Sequence, residues 1–286
     1  MRYAWIKSQE GTFSVKAMCR VLQVRRSGYY AWKRPRASER EAEGQRLDEA
    51  ICRHFEAHKG RYGSPRVTEE LKAEGWRVGR PRVAKRMRAL GLKARAARKY
   101  KATTQSKHHL PVAPNRLEQD FTASAPNQKW VSDITYLWTG EGWLYLAVVL
   151  DLYSRAVVGW SMGKRITRDL VIQALTMAIW RRRPKAGLIA HSDRGSQYAS
   201  NDYQRLLDRH GFLCSMSRKG DCYDNAAMES FFHTLKIEQT EGKSYATRDE
   251  ARADVFEYIE SYYNRKRRHS TLNYLSPCDF EARMAA

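Results

Sequence analysis

The 286-residue sequence is poor in cysteine and has none in pairs. Cys19, Cys52, Cys214, Cys222 and Cys278 are scattered, with no Cys-x-x-Cys. The odd number and wide spacing argue against a disulfide framework and against a structural zinc site. No apolar run is long enough to span a bilayer, and the N-terminus lacks the apolar core of a secretion signal, so the expectation is a cytoplasmic chain with no membrane partner. No internal repeat is visible. Acid is also scarce: 31 Asp and Glu stand against 52 Lys and Arg, a net charge of +21 with a pI near 9.9. That excess implies a polyanionic partner, most simply nucleic acid. Apolar residues are not scarce. At 42 % of the chain, with 16 Tyr and 8 Trp, they suffice for a real core and exclude a disordered chain.

The chain length suits two domains, and the residues fall into four stretches. In 1–45, "SVKAMCRVLQVRRSGYYAW" reads as two short helices about a basic turn, a possible helix-turn-helix. In 46–101 the punctuation is firmer. Leu47, Ile51 and Phe55 mark one helix, Ser64 as cap and Pro65 open a second, and a third runs from about Pro81 to Leu90. Between Arg53 and Lys101 there are 16 Lys and Arg against 4 acids. Arg80, Arg82, Lys85, Arg86 and Arg88 crowd that third helix, as in a helix laid in a DNA groove, although a bundle with a solvated basic face has the same pattern. Residues 102–122 read as a basic linker, and His108 and His109 as linker residues rather than metal ligands.

From 123 to 284 the texture is α/β. Three strands with short turns, then helix, strand, helix, strand and helix give an expected order βββαβαβα: a mixed five-stranded sheet flanked by helices. A basic helical tail carrying Arg265 and Arg268 follows. Three acids sit oddly in this segment. Asp133 lies inside the strand "VSDITYL", where Asp is disfavoured; Asp193 follows the strand "LIAH"; Glu229 edges the apolar stripe of "YDNAAMESFFHTLK". Alone, each has a bland explanation. Together they are the donor set of hard divalent cations, Mg²⁺ or Mn²⁺, two of which can clamp the attacking and leaving oxygens of an in-line phosphoryl displacement.

The words around these acids, "WVSDITYL", "HSDRGSQY" and "NAAMESFFHTLK", resemble the retroviral-integrase catalytic core as carried by bacterial insertion-sequence transposases, in the second reading frame of two-frame elements. The 35-residue gap between Asp193 and Glu229, Lys236 seven residues after the Glu, and the tail "YNRKRRHSTLNYLSP" fit the same family, and residues 46–101 resemble the helix-turn-helix region that precedes its core. Two departures stand out. The second acid is followed by Arg-Gly rather than Asn-Gly, and the zinc-binding His/Cys domain of the retroviral enzymes is missing.

The resemblance implies an RNase H-like fold, α+β in its layering, with the first Asp on the first strand, the second Asp after the fourth strand and the Glu on a later helix. It implies a transposase in which Asp133, Asp193 and Glu229 are catalytic and bind two metal ions, Lys236 contacts DNA phosphates, and cleavage of element ends and strand transfer act on double-stranded DNA at the nucleoid. Asn225 and His233, one turn on either side of Glu229, are candidates for support, with simple helix-end or surface roles equally open. Asp224 reads as the helix N-cap and Asp151 as a turn residue; Ser196, Gln197 and Tyr198 read as DNA contacts or a capped turn. Fusion to or cooperation with the first-frame protein and a homo-oligomer on DNA are implied partners. A non-catalytic DNA-binding repressor and an RNase H-like nuclease are the alternatives.

Overall fold

The computed structural model describes residues 1–33, 39–95, 112–218 and 222–285, with backbone alone at Cys222 and Tyr223. The chain forms two compact units, Met1–Lys93 and Ala94–Ala286.

The first unit is helical. α1 (Arg2–Ser8), α2 (Val15–Val21) and α3 (Arg26–Lys33) close around Ile6, Met18, Cys19 and Tyr29. The Ser14 hydroxyl caps α2 by accepting the Ala17 N–H. α4 (Glu39–Ala57), α5 (Ser64–Ala73) and α6 (Arg80–Ala89) bury Leu47, Ile51, Val67, Leu71, Val83 and Met87. α4 crosses the expected boundary at residue 45, because only Gly44 interrupts its good helix formers and one glycine costs just ~1 kcal/mol. The cap of α5 is Gly63, not Ser64, whose side chain makes no capping bond; extended backbone at Gly63 suits a helix whose second residue is Pro65.

The second unit is built on one sheet. β1 (Lys129–Thr139), β2 (Gly142–Asp151) and β3 (Val157–Gly163) form an antiparallel meander, while β4 (Ile189–Ser192) and β5 (Leu213–Met216) run parallel to β1. The strand order is β3-β2-β1-β4-β5, the mixed five-stranded sheet expected from the sequence. α7 (Arg168–Arg182), capped by Thr167, and α8 (Asn201–Arg209), capped by Ser200, supply Leu170, Leu175 and Leu207 to a core with Trp130, Val149 and Val158 from the sheet. At Gly159 the β3 backbone comes so close to α7 that a Cβ would stand 2.2 Å from the Ala174 carbonyl oxygen.

α9 (Ala226–Leu235) and α10 (Arg248–Phe256) each continue into a wider π-helical turn, Lys236–Thr240 and Glu257–Tyr263, before α11 (Pro277–Ala285) ends the chain. The tail is not a surface appendage: Tyr258, Ile259, Tyr262 and Tyr263 are buried. The Asn264 side chain bonds Val157 twice, accepting its N–H and donating to its C=O, both at 2.9 Å. Arg267 and Glu238, each 6 % exposed, form a buried ion pair, and the Tyr258 hydroxyl donates to the same carboxylate.

The expected linker also differs. Residues 102–111, with His108 and His109, lie outside the described residues. Residues 112–122 pack on the sheet unit: Leu117 is buried, the Arg116 N–H donates to Ser215 Oγ at 2.9 Å, and Asp120 accepts from Lys129 Nζ at 2.6 Å. Leu117 is apolar in a polar run, and burying it favours order over a free tether.

Candidate active site

Parallel pairing of β1 with β4 ends at Ser132 opposite Ser192. One residue further along both strands come Asp133 and Asp193, side by side on adjacent strands and on the same face. Asp133 Oδ1 accepts the Ile134 N–H at 2.7 Å, and Asp193 Oδ1 accepts the Gly195 N–H at 2.9 Å. A Cβ at residue 195 would lie 2.9 Å from Asp193 Oδ1, so glycine there leaves room for the carboxylate.

Glu229 is exposed on the first turns of α9, which packs on β1 through an apolar side formed by Met228, Phe231, Phe232 and Leu235. The seam does more than dock on the sheet: the Phe231 ring meets Tyr263 edge-on at 4.8 Å. Asp133 feels both of the other acids. Burial, then the charge of Asp193 and, more weakly, of Glu229 push the Asp133 carboxyl up to about 8, against the lowering effect of the Ile134 N–H and Lys236.

Lys236 opens the π-turn after α9, with Nζ 5.0 Å from the centre of the Tyr136 ring. Burial lowers its ammonium; Tyr136 and Asp133 oppose that. Tyr136 escaped the sequence reading, because nothing in β1 marks which aromatic meets a helix one hundred residues later.

The supporting residues rearrange several expectations. Asn225, not Asp224, occupies the N-cap of α9, yet its side chain caps nothing and its buried Oδ1 has no hydrogen-bond partner among the described residues. Asp224 is buried and accepts the Arg218 N–H at 2.7 Å. His233 is exposed. Tyr198 is buried rather than a DNA-facing residue, while Ser196 is exposed. Burial, then the charges of Asp133 and Asp193, raise the Tyr198 hydroxyl well above its usual range, and its oxygen has no hydrogen-bond partner among the described residues. Arg194, the departure after the second acid, donates to the Ser217 carbonyl at 2.6 Å and fastens the loop to the end of β5. His191, held between the Ser215 and Ser217 hydroxyls, is driven by burial down to about 4 and is neutral near pH 7. Asp151 lies buried at the far end of β2, where it accepts the Asn127 and Tyr153 N–H groups.

Among the described residues no three His, Cys, Asp or Glu side chains form a closed ligand set for one ion. The donor chemistry nevertheless fits a hard divalent cation: all-oxygen, anionic, with mutual repulsion that a cation would relieve. Of the expected DNA contacts, Arg80, Lys85 and Arg88 are exposed on α6 and Arg265 after the tail π-turn. Arg86 instead forks onto Asp48 of α4, Arg82 reaches Glu43 at 2.9 Å, and Arg268 donates to the Tyr274 carbonyl at 3.0 Å. These partners neutralise or restrain charges that the sequence left open.

Three family models match the chain. An integrase core domain matches residues 123–222, an HTH-like domain residues 42–100, and a second integrase core domain model residues 229–284. Together with the sheet and its three acids they define a protein of the integrase-core class preceded by an HTH-like domain. Transposase InsF for insertion sequence IS3A of Escherichia coli (strain K12) is 52 % identical over 283 residues, covering 98 % of each chain. The insertion element IS600 uncharacterized 31 kDa protein of Shigella sonnei is 48 % identical over 263 residues, 92 % of this chain and 97 % of that one. The chain belongs to this family, the second-frame transposases of IS3-type insertion sequences. Among solved structures, the HTLV-2 integrase catalytic core domain in complex with magnesium (trimeric form) is 16 % identical with a TM-score of 0.41, covering 56 % of this chain and 99 % of that one. No helix among the described residues is long and apolar enough to cross a membrane.

Proposed function

We propose that the chain is a DNA transposase that cleaves element ends and joins them to target DNA by in-line phosphoryl transfer. The observation that carries this is the end of the β1–β4 ladder, which sets Asp133 beside Asp193 within electrostatic reach of Glu229. These three side chains would hold two Mg²⁺ or Mn²⁺ ions. Such ions supply activation of a water or a DNA 3′-hydroxyl and stabilisation of the leaving 3′-oxygen.

The chain's own residues do the rest. The Ile134 and Gly195 N–H groups orient the two aspartates. The apolar seam of α9 fixes the direction of Glu229. Lys236 places positive charge beside Asp133, where it suits a phosphate. Arg80, Lys85 and Arg88 of α6, and Arg265, are exposed cations that suit the DNA backbone. No Ser or Tyr nucleophile and no covalent enzyme intermediate are required. Work on paired ends calls for a homo-oligomer on double-stranded DNA, and the family resemblance adds the first-frame protein as fusion partner.

Glu229→Gln tests the reading. Strand cleavage of an element-end duplex with Mg²⁺ should fall by on the order of 10³-fold, the equivalent of several kcal/mol of charge stabilisation. Duplex affinity should stay within about twofold. Cleavage at near the wild-type rate would remove Glu229 from the site, and cleavage absent from the wild type as well would favour a DNA-binding repressor.

A further inference from the structure

Apart from α6 and the acid centre, the strongest unassigned feature is the α1–α3 group, outside the residues that the HTH-like model matches. Its internal spacing is informative. Met18 and Cys19 of α2 are buried, Leu22 and Val24 are half-buried, and Tyr29 of α3 is buried. Between Leu22 and Val24, Gln23 adopts a left-handed φ of 55°. This sharp four-residue turn, Leu22–Arg25, locks two short helices against each other with α1 behind them. That is the build of a helix-turn-helix whose second helix is presented outward.

What it presents is polar and cationic. Arg25, Arg26, Ser27 and Tyr30, at the turn and along the outer side of α3, are all exposed, as are Lys16 and Arg20 of α2. Residues 1–33 contain seven Lys and Arg and one acid, Glu10. Glu10 is already engaged by Lys33 Nζ and by the Tyr29 hydroxyl, each at 2.6 Å. Among the described residues none of Lys16, Arg20, Arg25 and Arg26 forms an ion pair. On α6, by contrast, Arg82 and Arg86 are held by acids of α4.

We propose that α2 and α3 form a second, separate duplex-DNA-binding module, with Arg25, Arg26, Ser27 and Tyr30 entering the major groove and Lys16 and Arg20 meeting the phosphates. A groove-filling helix needs side chains that donate to base edges and phosphates, and these supply them. The inference goes beyond the cleavage chemistry proposed above, whose own test is strand scission, so either can fail without the other.

The test uses the full chain and a fluorescein-labelled 40-base-pair duplex, titrated by anisotropy between 50 and 200 mM KCl. Each lost phosphate contact lowers the slope of log affinity against log salt by about 0.9. Lys16→Gln with Arg20→Gln, the phosphate-facing pair, should weaken binding by roughly tenfold or more at low salt and flatten the slope by about 1–2. The control, Arg183→Gln with Lys185→Gln, removes the same charge from exposed positions before β4, at the end of that strand opposite the acids, and should leave both readings near wild type. Circular dichroism confirms that both variants fold. Equal losses in the two variants, or none in the first, overturn the proposal. So does unchanged DNA binding with an altered oligomeric state, which would make the face a protein contact.

Discussion

In the sheet unit a buried ion pair offers a direct test of stability. Arg267 and Glu238 are both buried, with Tyr258 completing the carboxylate's bonds. Removing one member strands the other charge in the core. Arg267→Ala is expected to cost about 3–5 kcal/mol in denaturant unfolding, while Arg267→Met with Glu238→Leu, which removes both charges, should cost far less. The pair is separated by 29 residues, and neither side chain differs in sequence from a dozen solvated neighbours, so it was not legible in advance. The three acids proposed as the site stand out in the sequence for the opposite reason. An Asp inside a strand, another at a strand's end and a Glu on an apolar seam each break a local rule, and broken rules gather at sites. The sequence leaves Asn225 even between support for Glu229 and helix-end bonding; its side chain does not cap α9, and its Oδ1 has no partner among the described residues.

At the scale of elements, periodicity served well wherever one face meets one core. The meander, β4, β5 and α7 to α9 all stand where alternation or helical spacing placed them. It served poorly where an element is held by charges on another. The sequence of α6 reads as an open basic face, yet two of its arginines are held by α4 acids 38 and 39 residues earlier. Residues 112–122 depart from the linker reading for a related reason: Leu117 and Ala113 find their neighbours only once the sheet exists. The approach of β3 to α7 yields a further prediction. Gly159→Ala would drive its methyl into the Ala174 carbonyl, and thermal unfolding should show a loss of about 1–3 kcal/mol or more. An unchanged melting temperature would mean that α7 can slide away from the sheet.

For the whole molecule, the relevant fact is that each unit closes its own core. Calorimetry of the full chain should then resolve two transitions rather than one. Gly159→Ala and Arg267→Ala should lower the transition of the sheet unit by about 2–4 °C for each kcal/mol lost, and leave the helical one in place. A single transition that moves as a whole would show that the units fold together. Composition also acts at this scale. With +21 formal charge, affinity for DNA of any sequence is expected to fall steeply with salt, so discrimination between DNA sites has to be read at fixed ionic strength.

The bonds from Asn264 to Val157 have a consequence for assembly. β3 is an outer strand, and an outer strand offers unpaired backbone groups on which a second chain can lay a strand of its own. Here the protein spends one of its own side-chain amides, drawn from the last few dozen residues, to imitate the partner that Val157 lacks. A second copy of the chain is thereby discouraged from adding a strand to the sheet at that point.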